Sequence, residues 1–229
     1  MSTTVQSPTV HLLRRHWKPH KLRLNETAVG EATNTRMHRA FSWLACVEQM
    51  GDNVEYDLTI VAQWTAFNAL YGQWDEARKE PVADRECWQV FIERVLELDS
   101  DGQIQAILQQ HRPLAMTIFQ DKYLSKYFWQ DPDANQDYGR RGRFKAQGWY
   151  AEERWAYILE QLLSRIYLLR CQVVHGAATY GGRLNREALR HCSTMMGHLL
   201  RGLLVVIIDH GADEDWGIMC YPPVKSRKR

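Results

Sequence analysis

With 229 residues the chain is long enough for one well-filled domain, with or without a small appendage. Its apolar fraction of 45% and charged fraction of 24% are those of an ordinary globular protein and speak against a disordered or fibrous chain. The net charge is only +2, so any nucleic-acid footprint has to come from local clustering.

Residues 1 to about 30 are expected to be a basic N-terminal arm, irregular or partly extended. Within it Arg14, Arg15, Lys18, Lys21 and Arg23 are interleaved with His16, Trp17 and His20. Phosphate contacts plus base stacking on an aromatic would suit single-stranded RNA. The competing reading is a solvated surface arm. His11, His16 and His20 lack an acidic or thiol ligand to complete a usual metal geometry.

A helical domain is expected over residues 31–212. Its first helix runs from about Thr35 to Met50, where Gly51-Asp52-Asn53 stops it. A second, from about Tyr56 to Trp74, carries Ile60, Trp64, Phe67 and Tyr71 on one side. A third spans Asp84 to Leu98 with Asp84 as its N-cap. Shorter helices are expected over Gln103–Gln110 and Leu114–Tyr127, followed by a polar loop from about Asp131 to Gly148. That loop holds a second basic cluster, Arg140, Arg141, Arg143 and Lys145, beside Phe144. A long helix follows from Ala151 to Val174, and a last one from Asn185 to Asp209 with Asn185 as cap and Glu187 favourably placed near its start. The tail, 213–229, ends in the basic run Lys225 to Arg229. Strand alternation of useful length is missing, so the expected fold is an all-α bundle.

The Ala151–Val174 helix carries the most informative residues. Apolar positions recur at Trp155, Ile158, Leu159, Leu162, Leu163, Ile166, Leu169 and Val173, an amphipathic pattern. At about 100° per residue, Arg170 falls in that apolar stripe, level with Leu159 and Leu163. An arginine there needs a partner or a cleft. His175 follows five positions on and lies about 140° further round an ideal helix. Either the last turn deforms before Gly176, or a second copy of the chain completes the site. Gly176 suits the left-handed position that ends a helix. Arginine holds phosphate through its fork of donors, and histidine exchanges protons near neutral pH. Together they suffice to cleave a phosphodiester. The bland alternative is a pair of cations favoured in a helix's last turn by its unpaired carbonyls.

Arg170, four residues and His175, at the end of a long helix, resemble the Rx4-6H motif of HEPN domains. The run Ile166 to Gly176, IYLLRCQVVHG, is similar to the LYxLRNQxVHG sequence of the Apea-like branch. Trp64 to Gly72, WTAFNALYG, is similar to that branch's upstream WxAFNALY helix. The residue after the arginine is commonly Asn in that branch and is Cys171 here.

The resemblance implies a HEPN-like bundle of long antiparallel helices that pairs as a homodimer. It implies a metal-independent endoribonuclease with Arg170 and His175 catalytic. Cys171, Gln172, Asn68 and Tyr71 would border the cleft. From its place just upstream of the motif helix, the cluster Arg140, Arg141, Arg143 and Lys145 either guides RNA toward the site or forms a flexible solubilising loop. In this chemistry the 2′-hydroxyl attacks its own phosphate, His175 moves the proton and Arg170 stabilises the charge that builds on the phosphoryl oxygens. No cofactor or metal is expected. The setting implied is a toxin–antitoxin pair or antiviral defence, with an antitoxin or defence protein as possible partner. The alternative, a catalytically silent module that binds RNA or a partner protein, draws on Cys171. For Asn68, fixing two helices competes with bordering the cleft, because a buried amide has to find partners.

The five cysteines form no CxxC pair and are odd in number, which suggests reduced thiols in the cytoplasm. The start of the chain lacks the apolar core of a signal peptide. The most apolar run, Leu203 to Ile208, falls far below the roughly 20 residues that cross a bilayer, so no membrane is expected. Most of the nine tryptophans are expected in the core or at a dimer interface.

Overall fold

The computed structural model describes residues 8–51, 55–134 and 136–221. Among the described residues the fold is all-α. It comprises α1 (Val10–Leu24), α2 (Ala28–Gln49), α3 (Tyr56–Tyr71), α4 (Asp84–Leu98), α5 (Gln103–Gln110), α6 (Arg112–Gln120), α7 (Lys126–Gln130), α8 (Tyr138–Ala151), α9 (Trp155–Val174) and α10 (Arg186–His210). Between α3 and α4 the two-residue strands β1 (Trp74–Asp75) and β2 (Glu80–Pro81) pair antiparallel.

Helix α10 is the hub. Leu189, Met195, Met196, Leu199, Leu203 and Ile207 are buried on more than one of its sides, and it packs against α1, α3, α4, α5, α6 and α9. A helix apolar on most sides needs partners on most sides. Its composition and length would allow it to cross a membrane, but 72% of its most apolar window is buried inside the bundle. Two polar links fix α3 against it. The Gln63 amide donates to the Ser193 carbonyl at 3.0 Å, and Arg186 pairs with the buried carboxylate of Asp57 at 2.8 Å.

Three stretches differ from what the sequence suggested. The N-terminal arm is not irregular: Thr9 caps α1 by accepting from the Leu12 N–H, and Val10, Leu13, Trp17 and Leu24 enter the common core. The Trp17 indole donates to Asn34 of α2 at 3.1 Å. Several of the arm's cations are engaged within the chain. Arg23 pairs with Asp213 and His16 with Asp209, while Arg14 donates to the Phe41 carbonyl. Helix α2 also begins earlier than expected, because the Thr27 hydroxyl accepts from the Gly30 N–H at 3.0 Å and starts it there.

The polar loop expected over Asp131–Gly148 is helix α8 for most of its length. Two of its glycines are packing contacts with α6. A Cβ at Gly139 would sit 2.5 Å from the Gln120 carbonyl oxygen, and one at Gly142 would sit 2.3 Å from that of Phe119. The helix expected over Leu114–Tyr127 breaks at Asp121, whose carboxylate accepts from the Tyr123 N–H at 2.9 Å and turns the chain into a short 3-10 segment, Lys122–Leu124.

The segment after α10 folds back onto the bundle. Trp216 and Met219 are buried, and Gln73 bridges to Met219. Arg36 of α2, 2% exposed, holds this return in place. Its guanidinium donates to the carbonyls of Leu70, Gly72, Trp216 and Gly217 at 3.0, 2.8, 3.2 and 3.1 Å. Burial lowers its pKa to about 10. The Lys225–Arg229 tail lies outside the described residues.

Candidate functional site

Helix α9 stays regular to its end. The His175 N–H still bonds the Cys171 carbonyl at 2.9 Å, the i to i−4 bond of an α-helix. The chain then leaves through a Schellman arrangement. Gly176 takes φ +73°, its N–H bonds the Val173 carbonyl at 3.2 Å, and the Ala177 N–H bonds that of Gln172 at 2.8 Å. The last turn therefore does not deform. The side chains of Arg170 and His175 diverge by the ~140° of an ideal helix, and a single chain does not bring them together.

Arg170 is half-buried and His175 exposed. The Arg170 guanidinium reaches the Cys171 sulfur at 4.0 Å. Among the described residues no carboxylate comes within ion-pair distance of it. Its electrostatic neighbours are two tyrosines, Tyr71 at the end of α3 and Tyr167 one turn back on α9. Tyr71 donates to the Asp84 carboxylate at the start of α4. Burial, then Asp84, holds its phenol far above the ordinary range. Tyr167 is also raised, by burial first and then by the neighbouring Cys171 thiol. Its ring lies 5.4 Å from that of Trp64, joining the two sequence blocks at the junction of α3, α4 and α9.

Of the other candidates, Cys171 and Gln172 share this helix end, and Gln172 donates to the Tyr123 carbonyl at 3.2 Å. Asn68 packs at the end of α3, where its side-chain oxygen would meet a Cβ on Gly72 at 2.7 Å. Tyr71, on the same helix, is an electrostatic neighbour of Arg170. Arg140, Arg141, Arg143 and Lys145 are all exposed on α8. Arg140, Arg141 and Lys145 border a shallow hollow with Phe144, Arg141 donates to Gln136, and Arg143 turns away to Gln120 of α6 at 2.8 Å. Arg141 and Lys145 face a cavity of about 1030 Å³ between α8 and α9.

Sequence reasoning missed two residues of the site. Asp84 reads as a helix cap, but Ala83 holds that position and Asp84 is the first helical residue, free to accept from Tyr71. Tyr167 sits one turn before Cys171 and could have been found from that i, i+4 spacing. Asn185 does occupy the N-cap of α10, without a side-chain capping bond. No family model matches the chain, and neither curated proteins nor solved structures include a significantly similar one.

Proposed function

We propose that the chain is a HEPN-type endoribonuclease whose working unit is a pair of copies, each supplying Arg170 and His175 to a shared cleft. The observation that carries this reading is the end of α9. A half-buried guanidinium without a carboxylate partner stands one turn from an exposed imidazole, on a helix too regular for the two to converge. A second copy related by a two-fold axis supplies the missing half.

The 2′-hydroxyl attacks the adjacent phosphorus, and its proton passes to one histidine. The P–O5′ bond breaks and the leaving 5′-oxygen takes up a proton. Arginine stabilises the charge gathering on the phosphoryl oxygens. The products are a 2′,3′-cyclic phosphate and a 5′-hydroxyl end, and DNA is spared. A toxin or antiviral-defence setting, with an antitoxin or defence protein as partner, belongs to the same reading.

One observation favours a second reading, a silent module that binds RNA or a partner protein. Cys171, next to Arg170, engages both that guanidinium and Tyr167, where an amide would offer a phosphate a stronger donor. Incubation with mixed RNAs in EDTA separates the two. The nuclease cuts, and Arg170→Ala and His175→Ala each stop it. Wild type and Cys171→Asn both inert, with RNA binding intact, establish the silent module. Cutting that requires Mg²⁺, or that also consumes single-stranded DNA, refutes the chemistry.

A further inference from the structure

The cavity of about 1030 Å³ between α8 and α9 is larger than the roughly 300–1,000 Å³ typical of small-molecule pockets. Its rim carries four cations from three helices: Arg85 of α4, Lys126 of α7, and Arg141 and Lys145 of α8. Among the described residues none of the four is in an ion pair. Two acids also line the cavity, Asp131 and Glu160, and Glu160 accepts from Gln89 at 3.0 Å. Positive charge therefore prevails.

Between the cations stand aromatic rings. Tyr127 is 56% exposed, with the Lys126 ammonium over its ring at 5.1 Å. Tyr157 lies edge-on to Trp149 at 4.9 Å. The floor is polar. Ser164 has a buried hydroxyl without a partner among the described residues. Arg165 is anchored to the carbonyls of Ile118 and Asp121 at 3.3 and 2.9 Å. Room for that guanidinium exists because residue 142 is glycine: a Cβ there would lie 2.9 Å from it.

Cations without an acidic partner, set in the same lining as ring faces, suit a strand with a charged backbone and unpaired bases. A duplex, with its bases stacked inside, offers no ring to Tyr127. Tyr167, an electrostatic neighbour of Arg170, is among the residues that line the groove. From this geometry we infer that the α8–α9 groove binds single-stranded RNA through phosphate contacts and base stacking, and that it leads the strand over Tyr167 to Arg170. The direction of travel rests on the proposed ribonuclease function; binding in the groove does not.

The test is fluorescence anisotropy of the full chain with a labelled 2′-O-methyl oligoribonucleotide, which cannot be cut, across a salt series. Arg141→Ala with Lys145→Ala should lower the slope of log affinity against log salt by about 1.4, at roughly 0.7 per phosphate contact of a single strand. Tyr127→Ala should weaken binding about tenfold with the slope unchanged. These side chains are exposed, so melting curves should not move. Lys145→Glu should weaken binding further, and Lys145→Arg should preserve it. Groove variants that keep wild-type affinity and slope overturn the inference, as does tighter binding of duplex RNA or no binding by wild type. Loss of binding in the variants alongside a wild type that cuts no RNA upholds the groove and removes the nuclease. Cutting that depends on His175 with binding indifferent to the groove does the reverse.

Discussion

Arg36→Met replaces a buried guanidinium by an apolar chain of similar length. The native side chain donates to four carbonyls, two at the end of α3 and two in the returning C-terminal segment. Leu70, Gly72 and Trp216 are buried, so water does not readily replace the lost donors. Each buried acceptor left unpaired costs about 1–3 kcal/mol, or roughly 3–9 kcal/mol for the three. Against that stands the cost of keeping an arginine buried without a carboxylate, several kcal/mol that methionine recovers. The net loss should be about 3 kcal/mol. For a chain of this size that lowers Tm by roughly 6–12 °C. Urea unfolding followed by circular dichroism measures it directly. Arg36→Lys should fall between, because one ammonium does not span four acceptors in two segments. A methionine variant within about 0.5 kcal/mol of wild type would show that desolvation cancels the bonds, and would refute the role of Arg36 as the clamp between α2, α3 and the C-terminal return.

The remaining predictions concern pH, the helix cap and assembly. The rings of His111 and His198 stack at 3.7 Å. Burial, then His111 and Arg201, depresses His198 to about 4, and burial lowers His111. Because the unfolded chain takes up these protons first, the stability they confer is complete above the ordinary histidine pKa of 6.5 and is lost as pH falls toward 4. His198→Phe should flatten that slope in urea titrations, and an unchanged slope would contradict the assignment. Gly176→Ala should cost about 1 kcal/mol, because φ is +73° in otherwise open space. RNA cutting should survive it, and a melting curve identical to wild type would show that the left-handed cap is not required. Light scattering at micromolar concentration should report a dimer, and a monomer there would remove the shared cleft.

The sequence marks some elements well and others poorly, for physical reasons. Helices α4, α5, α9 and α10 announce themselves because apolar side chains recur at helical spacing over stretches ended by turns or caps. Val10, Leu13 and Trp17 carry the same spacing in α1, but five basic residues and Pro19, a helix breaker by propensity, obscure it. In α8 the glycines Gly139 and Gly142 read as loop residues because propensity is local, whereas the carbonyls they accommodate belong to α6. Both motif blocks are visible in the sequence, and the fold brings Trp64 and Tyr71 to Tyr167 and Arg170. The groove was only half legible. Arg141 and Lys145 stand out as a charge cluster, while Tyr127, Arg85 and Ser164 come from elements whose meeting no spacing reveals.

The shared cleft is tested most directly by mixing two dead variants. Labelled RNA in EDTA is incubated with Arg170→Ala alone, His175→Ala alone, and the two refolded together in equal amounts. Each variant alone should be inert. Random pairing makes half of the dimers mixed, and the cleft of each mixed dimer holds one intact arginine from one copy and one intact histidine from the other, so the mixture should recover cutting, up to about one half of wild type. A mixture as inert as its components, beside an active wild type, would contradict the assembly of the site from two copies.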